Sequence, residues 1–239
     1  MKAIILAAGI GKRLGNISLV PKCLIEIGEK TLLERQIDIL TSCGISKEDI
    51  LVVIGEEGET WSEENRQKVF KISGKGKIII NDKNVELNHC YSFWLGLQAS
   101  NGDEFVCLDG DSFFTKELLE KVVHSDFDSV LSTRKALQGE KKKRVLVNEG
   151  IIKEIGNEVN SERIYVPILK IGADFSKALN EKMKSEKYFD LALDSPINAI
   201  CNEYPIHNLD IPELKGEISF LNINTPEEYN LAKSLIFSS

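Results

Sequence analysis

The residues best suited to chemistry fall in three places far apart along the chain. The first is Leu6-Ala7-Ala8-Gly9-Ile10-Gly11-Lys12-Arg13-Leu14. An apolar run that ends in two alanines and Gly-x-Gly leaves backbone N–H groups free and lets a ligand come close to them. Lys12 and Arg13 put positive charge at the same point, which suits a polyphosphate. Two common cradles do not fit. A dinucleotide fingerprint fails at Leu14, where its third glycine belongs, and no Gly-Lys-Ser/Thr follows to make a P-loop. Pro21-Lys22 lies in the same connection. The second place is Asp109-Gly110-Asp111. Asp-Gly-Asp is good turn chemistry, but this one closes the apolar run Phe105–Leu108, and carboxylates there suit Mg²⁺, a hard ion that prefers oxygen. The third is Asn224-Thr225-Pro226-Glu227-Glu228, where threonine at the N-cap, proline at N1 and glutamate at N3 signal a helix start.

These groups need a scaffold that gathers them, and the pattern predicts one. Strand and helix signals alternate, which implies an α/β, Rossmann-like, mostly parallel mixed sheet flanked by helices. Strands are expected over 3–6, 50–54, 77–80, 104–108, 129–133, 145–155, 164–171 and 218–223, the later ones including a small additional β region for a second substrate. Helices are expected from Thr31, where Thr31 and Glu34 form a capping box, to Gly44; from about Asn88; over 174–183; and after Thr225. In an open α/β sheet, ligands bind at the carboxyl ends of the strands, which is where Gly9, Asp109 and Asp111 fall. No linker rich in Pro, Gly or Ser divides the chain, so residues 1–239 read as a single domain.

Composition narrows the partners. A net charge of -7 and a pI near 5.2 argue against nucleic acid or an acidic membrane surface. Any anion must be held by local basic groups and backbone amides. The five cysteines are scattered singly, a pattern of reduced thiols in a cytoplasmic protein rather than a zinc site. The apolar start is too short to span a membrane, and its positive charges follow it instead of preceding it as in a signal peptide.

Taken together, L-A-A-G-x-G-x-R-L and Pro21-Lys22-Cys23-Leu24 resemble the nucleotidylyltransferase (NTP-transferase) family, which includes sugar-1-phosphate nucleotidylyltransferases. Asn81 to Trp94, with Asn88, Tyr91 and Ser92, is similar to a stretch of bacterial phosphocholine cytidylyltransferases and relatives acting on other small phospho-metabolites. Leu193 to Asn198 is similar to a further stretch of that group, although Ser195-Pro196 replaces its acidic-small pair. The resemblance implies a GT-A type fold and a Mg²⁺-dependent transfer of NMP, from CTP by choice, to a small phosphorylated or phosphonate acceptor, with release of pyrophosphate. It implies that Lys22 and Arg13 carry catalysis, and that Leu6, Ala7, Ala8, Gly9, Gly11, Lys12, Arg13, Asn88, Ser92 and Asp109 bind the nucleotide. It further implies that Asp111 and Asn224 hold the metal, with Asp109 acting through water, while Tyr91, Asp190 and Asp194 face the acceptor.

Plainer readings stand beside these. Asn224 can simply flank the Thr225 cap, Trp94 and Phe189 can be core, and His89 and His124 read as surface or capping groups rather than catalysts. Lys141-Lys142-Lys143-Arg144 reads as a solvated loop or as a welcome for an anionic acceptor. The alternatives to the reaction are a sugar-1-phosphate uridylyl- or guanylyltransferase, a GT-A glycosyltransferase, a nucleotide binder without catalysis, and an NAD-binding protein. The sequence leaves a homo-oligomer open.

Overall fold

The computed structural model of the chain describes residues 1–9, 20–87, 89–137, 140–211 and 219–237, with the backbone alone at 236 and 237. Its first half builds parallel strands separated by helices. These are β1 (Lys2–Leu6), the ribbon β2 (Glu26–Ile27) and β3 (Lys30–Thr31), α1 (Leu32–Ser42), β4 (Ile50–Gly55), α2 (Glu63–Ser73), β5 (Lys77–Asn81), α3 (His89–Ser100) and β6 (Phe105–Asp109). There follow β7 (Ser112–Phe114), α4 (Lys116–Val123), β8 (Val130–Lys135), the hairpin β9 (Arg144–Asn148) and β10 (Ile151–Gly156), β11 (Arg163–Ile171), α5 (Ala173–Met183), α6 (Asp194–Asn198), β12 (His207–Asp210), β13 (Phe220–Asn222) and α7 (Pro226–Phe237).

One nine-stranded mixed sheet organises the molecule, in the order β5-β4-β1-β6-β11-β8-β12-β10-β9. Its first four strands are parallel, and β11 then runs antiparallel to both β6 and β8. The sheet is mixed, as expected, with its parallel pairs in the N-terminal half and at β12–β8. The added β region is the β9–β10 hairpin together with the short β13–β7 pair, which stands apart from the main sheet.

Alternation along β1 explains how both faces are covered. Ala3 and Ile5 point into a core with Leu33, Ile37 and Leu40 of α1 and Leu119 of α4. Ile4 and Leu6 point the other way, onto Phe93 and Leu97 of α3 and Phe175 and Leu179 of α5. The capping box at Thr31 forms as expected: the Thr31 hydroxyl accepts from the Glu34 N–H, and the Glu34 carboxylate accepts from the Thr31 N–H at 2.7 Å. Gly44, at φ +91°, then turns the chain out of α1 in a conformation that costs glycine little.

The chain moves outward from β1 to β4 and β5, then returns to place β6 on the other side of β1. Such a reversal opens a crevice at the strand ends. Leu6 is paired with Asp109 across it, so the glycine loop after β1 and the acidic turn after β6 begin at the same level.

Candidate active site

The acidic turn is held from several sides. Gly110 donates to the Leu6 carbonyl at 2.8 Å, and a Cβ on Gly110 would stand 2.9 Å from the Ala7 backbone. Glycine is required there for the close approach of two strand ends, a stronger reason than turn propensity. From α1, the buried Gln36 amide donates to the carbonyls of Asp109 (3.0 Å) and Ser112 (2.7 Å), stapling the two ends of the turn. From β13, the Asn222 amide donates to Asp111 Oδ1 at 3.0 Å.

Lys22 closes the group. It lies in a single 3₁₀ turn, Lys22–Leu24, anchored by the buried Cys23 and Leu24. Its Nζ donates to Asp111 Oδ2 at 2.8 Å and to Asn224 Oδ1 at 2.5 Å. Asn224 is fixed in turn by the first turn of α7. The Glu228 carboxylate accepts from the backbone N–H of Asn224 (2.7 Å) and of Thr225 (3.0 Å), while the Thr225 hydroxyl accepts from the Glu228 N–H. The expected helix start is therefore also the device that presents Asn224. The Cys23 thiol beside Lys22 is pushed up to about 12 by burial, so it stays protonated and is no nucleophile.

A magnesium site can be tested against this geometry. Asp111 and Asn224 both aim an oxygen at one cation, the Lys22 ammonium, and hard oxygen donors of this kind fit Mg²⁺, which takes few ligands from protein. Among the described residues no group of three or more His, Cys, Asp or Glu side chains could hold a metal. The donor set that fits is one carboxylate and one amide, with Asp109 adjacent.

Asp109 engages a residue that sequence reasoning set aside. His89, the first residue of α3, places Nε2 3.0 Å from Asp109 Oδ1. Burial opposes the imidazolium, but the Asp109 carboxylate and its hydrogen bond, with Asp111 beyond, outweigh it and raise the His89 pKa. His89 is exposed at the head of α3, in keeping with a surface or capping group, but its pairing with Asp109 was not read because it depends on the α3 start meeting the β6 end. Asn222 was also missed. The available signal was its place at the end of the strand that leads to Asn224.

His89, Asp109, Asp111, Asn222 and Asn224 line a cavity of about 590 Å³ that continues to Lys141–Lys143, Tyr165 and Asp194. Asp194 stands at the start of α6 and pairs with Lys143. The Asn198 side chain fixes α6 by bonding both the N–H and the carbonyl of Ile155 on β10.

The other expected site residues are placed as follows. Leu6, Ala7 and Ala8 are buried at the end of β1, and the Ala8 carbonyl accepts from the Trp61 indole at 3.3 Å and the Asn84 amide at 3.4 Å. Gly9 is exposed, and a Cβ there would meet nothing within 4 Å. Ser92 is buried and its hydroxyl accepts from the Asn81 amide at 2.8 Å. Tyr91 is not among the cavity-lining residues: its ring packs on Trp94 and Phe189, and its hydroxyl donates to Asp82. Asp190 is exposed and likewise does not line the cavity. Gly11, Lys12, Arg13 and Asn88 lie outside the described residues.

A doubly flanked α/β sheet with a cationic and acidic cluster at its switch point is a nucleotide-handling architecture. Residues 3–149 match the MobA-like NTP transferase domain, and the chain belongs to that family. In sequence it is similar to the choline-phosphate cytidylyltransferase of Streptococcus pneumoniae, 33% identical over 119 residues that make up 49% of this chain and 48% of that protein. It is also similar to a bifunctional sugar-1-phosphate nucleotidylyltransferase/acetyltransferase of Sulfurisphaera tokodaii, 26% identical over 221 residues, 90% of this chain and 51% of that protein. The chain thus spans about half the length of these curated relatives. In structure it is similar to the CTP:phosphocholine cytidylyltransferase from Streptococcus pneumoniae, with a TM-score of 0.81, 20% identity and 98% of each chain covered. The inositol-1-phosphate CTP transferase from T. maritima gives a TM-score of 0.78 at 24% identity, covering 98% of this chain and 95% of that one. At these identities the structural likeness is one of fold. No helix among the described residues is long and apolar enough to cross a membrane.

Proposed function

We propose that this protein transfers a nucleoside monophosphate, CMP from CTP, to a small phosphorylated or phosphonate acceptor and releases pyrophosphate. The observation that carries the reading is the convergence of Lys22, Asp111 and Asn224, from three distant parts of the chain, at the crevice beside the glycine loop. An ammonium and a set of hard oxygen donors at one point are what a phosphoryl-group transfer needs.

In this mechanism an acceptor phosphate oxygen attacks the α-phosphorus of the NTP, the bond to the β-phosphate oxygen breaks, and pyrophosphate leaves with that electron pair. The nucleophile is already anionic, so no general base is required. The chain's work is positioning and charge neutralisation. Backbone amides of residues 8–11, with Lys12 and Arg13, hold the β- and γ-phosphates. Lys22 reaches the α-phosphate and the acceptor phosphate. Leu6, Ala7 and Ala8 form the floor under the base, Asn88 and Ser92 are the proposed readers of its edge, and Asp194 stands on the acceptor side. Asp111 and Asn224, with Asp109 through water, would hold Mg²⁺, which when bound would neutralise charge on the transferring phosphate.

A sugar-1-phosphate acceptor with another NTP is the second reading, favoured by the 90% coverage of this chain in the match to the Sulfurisphaera tokodaii sugar-1-phosphate nucleotidylyltransferase/acetyltransferase. A pyrophosphate-release screen separates the two. Four NTPs are crossed with phosphocholine, aminoethylphosphonate, inositol phosphate, glycerol phosphate and sugar 1-phosphates, with and without Mg²⁺. Turnover with CTP and one non-sugar acceptor supports the first reading, turnover with UTP or GTP and a sugar 1-phosphate the second, and no release from any pair opposes both.

A further inference from the structure

The charge balance of the cavity points to the acceptor's chemistry, an inference that rests on the reaction proposed above. Among the described residues, each carboxylate that lines the cavity is already engaged. Asp111 holds Lys22, Asp109 meets His89, Asp194 holds Lys143, and Glu228 accepts from the backbone at the start of α7. Lys141 and Lys142 lie on the same lining and are not the cations that these carboxylates engage. Lys142 lies 3.5 Å from Glu140, but that carboxylate is already forked by the Arg134 guanidinium. The run sits between β8 and β9, and Lys142 is only 30% exposed, so it is not a fully solvated loop residue.

A quaternary ammonium head group would need an aromatic face or an uncommitted carboxylate. Among the described residues the lining offers Tyr165 as its one aromatic ring of Phe, Tyr or Trp, because Tyr91, Trp94 and Phe189 are packed on one another and absent from it.

We propose that Lys141 and Lys142 bind a second anionic group on the acceptor, which is therefore a phosphate or phosphonate monoester carrying a further carboxylate or phosphate rather than a cationic head. Lys141, exposed, and Lys142, partly enclosed, on one wall attract such a group and penalise a positive one by like-charge repulsion.

Phosphoglycerate and glycerol phosphate differ chiefly in one carboxylate, and phosphocholine supplies the cationic case. Binding of each to the full chain by calorimetry, in the presence of a non-hydrolysable CTP analogue and Mg²⁺, reads the inference without turnover. The expected order is phosphoglycerate tighter than glycerol phosphate by about tenfold, with phosphocholine weakest. That preference collapses in the Lys141→Gln/Lys142→Gln variant, whereas affinity for the CTP analogue is kept. Equal binding of the three, preference for phosphocholine, no binding of phosphoglycerate, or loss of nucleotide affinity in the variant overturns it. Failure of pyrophosphate release with the binding order intact would count against the reaction alone. Release that favours phosphocholine would count against this inference alone.

Discussion

The Lys22 ammonium lies 2.8 Å from Asp111 Oδ2, on the same carboxylate that is proposed to hold the metal. On the proposed reading a divalent cation on this carboxylate would compete with the Lys22 ammonium in the free protein. Lys22→Ala is expected to lower turnover by orders of magnitude, as for loss of a charge-stabilising group. It should also tighten divalent-ion binding to the free protein, because a competing cation is gone. Mn²⁺ titration followed by EPR checks the second effect. Weaker Mn²⁺ binding in the variant would show that Lys22 supports the site instead of occupying it.

His89 should titrate above the ordinary histidine value of about 6.5. A raised native pKa means that the stabilisation from its pair with Asp109 is full below that ordinary value and is lost as pH rises through the native one. NMR of the imidazole checks this directly. Asp109→Asn should bring the midpoint down, and an unchanged midpoint would mean that another group sets it.

Gly96 fits α3 against β1. A Cβ there would come 2.6 Å from Ile4 Cγ2, a branch on a side chain with little χ1 freedom. Gly96→Ala gains helix propensity but overpacks this contact, and a net loss of about 1–3 kcal/mol is expected. Urea unfolding gives the value, with equal or greater stability as the contrary result.

Glu228 links stability to the site. Glu228→Ala removes the carboxylate that accepts from the Asn224 and Thr225 amides, at an expected cost of about 1 kcal/mol for a lost cap interaction. If Asn224 depends on this anchor, the Mg²⁺ concentration for half-maximal pyrophosphate release rises as well. An unchanged metal requirement would separate the cap from the site.

Much of the frame was legible because its signals are local. The apolar run into Gly9, the capping box at Thr31, Asp109-Gly110-Asp111 and Thr225-Pro226-Glu227-Glu228 each state their geometry within a few residues. What escaped depends on remote packing. Helix α2 buries only Asn65, Val69 and Ser73, so its periodicity is faint. Strand β12 gives no strong apolar pattern, yet it inserts between β8 and β10. Gln36 reads as an ordinary helix residue until α1 meets the acidic turn, and His89 until α3 meets β6. Tyr91 could not be directed from sequence, because its ring settles among Trp94 and Phe189 through contacts made by a later part of the chain.

The central claim, transfer of a nucleotidyl group at the Lys22–Asp111–Asn224 cluster, is tested most directly by following labelled CTP in a single-turnover reaction with an acceptor and Mg²⁺. The account predicts that an α-phosphorus label ends on the acceptor and a γ-label in pyrophosphate, with both transfers lost in Lys22→Ala while CTP still binds. An α-label that stays with free CMP or CDP, or full transfer by the Lys22→Ala variant, would contradict it.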